Sequence, residues 1–230
     1  MLLAFALIVG ALIVTLPRAH VPAISARQRL AVLRPGPVLR LLLSTVLVVT
    51  PVYTVLSFTP SVLHGTGVIV TIGLLVFGAG QVVATRSVAP LIRRNGSWRT
   101  FAWGAVATPV ILAILSLTQS VPVLACVAML LLGGVVGLVI VPQQNRLFDT
   151  APDVAPIAMG FNGSAIYVGA ALGAVLGGLV LARGGDVWIA PAAAIAAVVA
   201  LVACLMLAPE RGVTAPTAVR DAGSAGSRPG

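Results

Sequence analysis

The chain has 230 residues, of which 59% are hydrophobic and only 8% are charged, and its mean hydropathy is +1.12. This composition excludes an ordinary soluble domain and is typical of a protein that crosses a membrane several times. The net charge of +9 does not indicate a nucleic-acid partner, because the 14 basic residues are dispersed among apolar segments.

The apolar segments predict an all-α fold. None of them has the alternating pattern of an outer-membrane strand, and a backbone in lipid must satisfy its own hydrogen bonds, which a helix does. We therefore predict a polytopic membrane helix bundle in the lipid bilayer, with about seven transmembrane helices. The predicted spans are residues 2–17, 38–62, 67–85, 100–117, 121–141, 159–182 and 187–208.

The first span is the shortest. Its roughly 16 residues, at about 1.5 Å each, reach about 24 Å, whereas the hydrocarbon core is about 30 Å thick. No basic residue precedes the apolar segment, so we predict a retained span rather than a signal peptide. We expect this span to lack a turn or two at its start.

The connections divide the chain into four parts. Residues 1–17 are predicted to be a lone transmembrane helix, and residues 18–37 a basic cytoplasmic loop that ends in Pro35-Gly36-Pro37. Residues 38–208 form the predicted six-helix bundle. Residues 209–230 are small, polar and proline-bearing, which predicts a disordered cytoplasmic tail.

The arginines predict the orientation. When successive connections are assigned to opposite sides of the membrane, Arg183 alone falls on one side and the other 13 arginines fall on the opposite side. Cytoplasmic loops carry the excess of basic residues. We therefore expect a multi-pass protein of the inner (plasma) membrane, with its N-terminus outside and its C-terminus in the cytoplasm.

The sixth span carries small residues at four-residue spacing, which places them on one helix face. In a membrane, such a face lets a neighbouring backbone approach closely, although the same pattern is common in generic helix packing. The predicted packing residues are Ala165, Gly169, Gly173, Gly177 and the adjacent Gly178.

Polar residues inside the spans are candidates for lining a substrate cavity, because a hydroxyl or amide group is best tolerated where it faces protein or water. The candidates are Thr50, Tyr53, Thr54, Ser57, Gln81, Asn162 and Tyr167. Two alternatives stay open for individual residues. A Ser or Thr hydroxyl can bond a carbonyl of its own helix, and Gln, Asn or Tyr can hold two helices together.

Catalytic and metal-binding chemistry is not predicted. All five acidic residues and both histidines lie in connections or in the tail, there is no lysine, and no HExxH or Ser-His arrangement occurs. Cys126 and Cys204 lie in apolar segments and indicate neither a disulfide nor a metal site. We therefore expect no enzyme activity, no metal and no cofactor.

Two segments resemble parts of the major facilitator superfamily. Residues 89–99 resemble its cytoplasmic loop motif, Gly-x-Leu-x-Asp-Arg-x-Gly-Arg-Arg, in the weaker copy of the second half. Leu91, Arg94 and Gly96 match the motif, and Arg99 follows one position late. The departures are Ala89 in place of the first Gly, Arg93 in place of the Asp, and Ser97-Trp98 in place of the basic pair. Residues 142–152 and the glycine-rich sixth span are similar to the tenth-to-eleventh connection and the eleventh helix of its drug:proton antiporter and sugar-efflux branch.

This resemblance implies that the seven spans correspond to helices six to twelve of a twelve-helix transporter. The chain would then be a partial secondary active transporter for small-molecule or drug efflux. It would need a missing N-terminal half or a second copy for transport. The alternative from another class is a seven-helix membrane binding or scaffold protein that transports nothing.

Overall fold

A computed structural model describes residues 36–64 and 66–207, and every regular element in these residues is helical. The helices are α1 (Gly36–Ser57), α2 (Thr59–Leu63), α3 (Gly67–Asn95), α4 (Ser97–Thr118), α5 (Pro122–Thr150), α6 (Ala155–Gly184) and α7 (Ile189–Met206). Two short 3-10 turns, Pro152–Val154 and Asp186–Trp188, precede α6 and α7. The all-α prediction is confirmed. The predicted first span, most of the basic loop and the tail lie outside the described residues.

Six of these helices, all but α2, are long and apolar enough to cross a membrane. Several extend beyond the predicted spans. Helix α3 continues past residue 85 to Asn95, α5 continues through Pro142 to Thr150, and α6 begins at Ala155. Hydropathy marks only the apolar part of a helix, and a proline inside a membrane helix is tolerated. Most of the two predicted cytoplasmic connections is therefore helical.

The second predicted span is divided. Helix α1 ends at Ser57, and α2 begins at Thr59 with Pro60 in its first turn. Proline fits the start of a helix because the first amide groups have no partner within the helix. The connection between α3 and α4 is equally short. It consists of Gly96 alone, whose φ of +81° suits a residue without a Cβ, and its N–H donates to the Ile92 carbonyl at 2.8 Å.

The six long helices form two units of three. The first unit consists of α1, α3 and α4, and the second consists of α5, α6 and α7. Helix α1 packs mainly on α6 and α7, whereas α5 packs mainly on α3 and α4. The leading helix of each unit thus packs on the other unit's second and third helices. Because each unit crosses three times, the two leading helices run in opposite directions, and the units are inverted relative to each other.

Contacts between connections define the two ends of the bundle. At one end, the Gln119 amide donates to the Val187 carbonyl at 3.2 Å, and His64 lies 3.4 Å from the Asp186 carboxylate. The start of α1 and the ends of α5 and α7 meet at the opposite end. Of the described arginines, only Arg183 lies at the first end, which agrees with the alternation used to assign the connections.

Candidate substrate cavity

A small cavity lies between α1, α3, α4 and α5, and two predicted cavity residues line it together. Its volume is about 50 Å³, enough for a few waters or a small chemical group. Tyr53 reaches it from α1, and Gln81 reaches it from the middle of α3. The remaining lining residues are Val48, Val49, Val52, Phe77, Thr108, Val135, Val136, Val139 and Ile140.

Of the three polar side chains that line the cavity, one donates a hydrogen bond within its own helix and two make no hydrogen bond to a described residue. The Thr108 hydroxyl donates to the Gly104 carbonyl of its own helix at 2.9 Å. Tyr53 and Gln81 are half-buried and make no side-chain hydrogen bond to another described residue. A phenol and an amide together offer both donors and acceptors. The cavity can therefore hydrogen-bond a few waters or one small polar group within a largely apolar lining.

The other hydroxyl candidates on α1 do not line this cavity. Thr50 donates to the Val46 carbonyl at 2.8 Å, and Thr54 donates to the Thr50 carbonyl at 3.0 Å. Ser57, at the end of α1, is exposed. Thr50 and Thr54 thus follow the alternative considered above, in which a hydroxyl bonds a carbonyl one turn earlier in its own helix.

Asn162 and Tyr167 also lie away from the cavity. Asn162 is 2% exposed, and its side-chain oxygen accepts a hydrogen bond from the Thr45 hydroxyl at 2.9 Å. This bond links α6 to α1. Tyr167 is 77% exposed, so its ring faces away from the described bundle. The structure therefore gathers Tyr53 and Gln81, but not these two residues, around one space.

The small residues of α6 lie against α1. Ala165, Gly169, Gly173 and Gly177 are all buried. A Cβ added to Gly173 would lie 2.5 Å from the Thr50 carbonyl oxygen, and one added to Gly169 would lie 2.9 Å from the Val46 carbonyl oxygen. At Gly177 it would meet the Phe58 ring at 2.6 Å, whereas at Gly178 the same ring is 3.7 Å away. Side chains at Gly169 and Gly173 would therefore force α6 and α1 apart, whereas a side chain at Gly177 would displace the Phe58 ring.

A second close helix contact, between α3 and α5, was not predicted. Gly80 of α3 and Gly133 of α5 each approach the partner backbone so closely that a Cβ would overlap it. A Cβ on Gly137 would lie 3.0 Å from the Thr85 amide nitrogen. The available sequence signal was the spacing of Gly133 and Gly137, which is the same as in α6. Each leading helix thus packs through glycine residues on the second helix of the other unit, α1 on α6 and α5 on α3.

The residues of the predicted loop motif lie at the junction of α3 and α4. Leu91 is partly buried near the end of α3, while Arg93, Arg94 and Arg99 are exposed. Gly96 is the turn itself. In the described part of the chain, no carboxylate lies within ion-pair distance of these arginines.

A group of polar and aromatic residues at the same end was also missed. The Arg146 guanidinium lies 4.6 Å from the centroid of the Trp98 ring and 5.2 Å from that of Phe101. Arg146 also donates to the Gln143 side-chain oxygen at 2.8 Å. Gln143 is 1% exposed and donates to the Leu41 carbonyl at 2.6 Å. These contacts tie α5 to both α1 and α4.

A comparison of the chain with models of known protein families gives no match. The fold itself defines the class, a multi-pass α-helical membrane bundle.

Proposed function

We propose that this chain forms one six-helix half of a secondary transporter of the major facilitator superfamily that exports small molecules. The single observation that carries the proposal is that the first helix of each unit packs on the other unit. Helix α1 packs on α6 and α7, and α5 packs on α3 and α4. Each six-helix half of these transporters contains two nested three-helix repeats of inverted topology.

The position of the cavity supports the same proposal. Substrate sites in such transporters lie near the middle of the bilayer, between the two halves. Tyr53 and Gln81, both inside predicted spans, line the cavity together. The residues that line the cavity all belong to this half, and in the proposed transporter an N-terminal half or a second copy of the chain completes the substrate site.

We expect the Tyr53 hydroxyl to bind substrate, and a single-atom deletion tests this. In purified chain, Tyr53→Phe should weaken the binding of a small apolar ligand by roughly two- to tenfold, the range that one hydrogen bond provides. The ligand is chosen from a panel of lipophilic cations and sugars by its effect on thermal unfolding.

The matched control is Tyr167→Phe, which removes the same hydroxyl from a largely exposed ring on α6. This variant should bind like the unmodified chain. Equal weakening in both variants, or no effect of Tyr53→Phe on any ligand that binds, would remove Tyr53 from the site.

We also propose an orientation for the chain in the membrane, based on the distribution of its arginines. The end of the bundle that carries Arg93, Arg94, Arg99 and Arg146 faces the cytoplasm of a cell bounded by its inner (plasma) membrane. The connection at Gly96 is then cytoplasmic, and the turn at Ser120 between α4 and α5 faces outward. The N-terminus faces outward and the C-terminal tail is cytoplasmic.

Cysteine labelling in intact cells checks this orientation. In a chain whose Cys126 and Cys204 are replaced by alanine, an impermeant maleimide should label Ser120→Cys but should label Ser97→Cys only after the membrane is opened. The two positions flank α4, so each serves as the control for the other. Labelling of Ser97→Cys in intact cells would overturn the orientation.

A further inference from the structure

A second cavity lies at the arginine-rich end of the bundle, between the start of α1 and the ends of α5 and α7. Its volume is about 160 Å³, well above the roughly 10–15 Å³ that one water requires. The residues that line it are Pro37, Arg40, Leu41, Ser44, Arg146, Asp149, Thr150, Cys204 and Leu207. It shares none of them with the Tyr53 cavity.

The cations of this cavity have unused hydrogen-bond donors. Arg146 gives one donor to Gln143, and its flat face rests on Trp98. Stacking uses the face of a guanidinium group and leaves its edges free to donate. Arg40 uses one donor, its Nε, on the Gly36 carbonyl at 3.3 Å. Two guanidinium groups therefore present free N–H donors to the same space.

The other lining groups do not neutralise these charges. Within residues 36–64 and 66–207, no carboxylate lies within ion-pair distance of either arginine. Asp149 also lines the cavity and is exposed, as Arg40 is, so two arginines and one aspartate leave the lining with a formal charge of +1. The Ser44 and Thr150 hydroxyls donate to the carbonyls of Arg40 and Arg146, respectively.

We propose that this cavity binds a phosphate group, with Arg146 and Arg40 as its cationic partners. Arginine matches phosphate geometry through paired N–H donors. The cavity lies at the arginine-rich end of the bundle, which the proposed function places at the cytoplasmic headgroups, and the inference rests on that placement. Basic pockets between membrane helices on the cytoplasmic side are suited to anionic headgroups. The same chemistry would accept a soluble phosphate, so the two sources must be tested separately.

The test uses the purified full chain in a neutral detergent. One arm adds inorganic phosphate, and the other adds phosphatidylglycerol in mixed micelles, with phosphatidylcholine at the same mole fraction as reference. The thermal unfolding midpoint gives the apparent affinity. At least one arm should raise the midpoint in a saturable way. A response to the lipid alone identifies a headgroup, and a response to inorganic phosphate identifies a site open to soluble anions.

Three variants localise the effect. Arg146→Gln should weaken the binding by roughly tenfold or more, because it removes charge-assisted hydrogen bonds. Arg40→Gln tests the same site at an exposed residue and does not depend on the packing of Arg146 on the aromatic rings. Arg183→Gln removes an exposed arginine at the opposite end and should change nothing. No response in either arm, or equal responses of Arg40→Gln and Arg183→Gln, would overturn the proposal.

Discussion

Replacing Gly173 with leucine is expected to prevent correct packing of the bundle, at a cost of about 3 kcal/mol or more in folding free energy. A Cβ at this position would lie 2.5 Å from the Thr50 carbonyl oxygen and 2.8 Å from the Thr54 amide nitrogen. Both atoms belong to the backbone of α1, so no rotamer change can make room. The variant should show little monodisperse protein and a strongly lowered unfolding midpoint.

Two control variants separate this clash from a general effect of substitution in α6. Leu172→Ala alters the neighbouring residue, which is 49% exposed. Gly163→Leu makes the same chemical change on the same helix, where an added Cβ meets nothing within 4 Å. Both should stay within roughly 0.5 kcal/mol of the unmodified chain. Equal yields and midpoints for Gly173→Leu and Gly163→Leu would show that α6 does not pack on α1 through this stripe.

The contact between α6 and α1 was predictable from the sequence only in part. The spacing of Gly169, Gly173 and Gly177 predicts that α6 packs closely on another helix. The spacing does not identify the partner helix, because the glycines contact mainly backbone atoms, which every helix has. The partner, α1, follows only from the arrangement of the whole bundle.

The cavity was predictable only in part. A polar residue inside a span suggests a protein-facing position, and this holds for Tyr53, Gln81 and Asn162, but not for the largely exposed Tyr167. Which of them meet depends on helix rotation. Tyr53 and Gln81 are on α1 and α3, which both pack on α5, so their approach follows from the arrangement of the bundle.

The helix ends were the least predictable feature. Hydropathy falls where polar and basic residues begin, but the α3 backbone continues through Arg93 and Arg94 until Gly96 allows a positive φ. In the same way, α5 continues through Gln143 and Arg146, which are stabilised by contacts with α1 and α4. The contacting residues are far apart in the sequence, so no local sequence pattern predicts these contacts.

The second prediction with a large expected effect concerns the coupling of transport to a proton gradient. We expect the chain alone to perform no proton-coupled transport, because coupling needs a group that changes protonation while exposed alternately to each side of the membrane. The predicted spans contain no Asp, Glu, His or Lys. Two paired copies would have the same deficiency, so the acids of a proton-driven transporter must come from another half.

A proteoliposome assay tests the central claim, that this chain is one half of a two-part transporter, most directly. Purified chain is reconstituted, a pH gradient is imposed, and the movement of lipophilic cations and sugars is followed against empty vesicles. The account predicts that a ligand whose binding depends on Tyr53 is bound but is not accumulated above the empty-vesicle level. Accumulation that follows the gradient and disappears with an uncoupler would contradict the account.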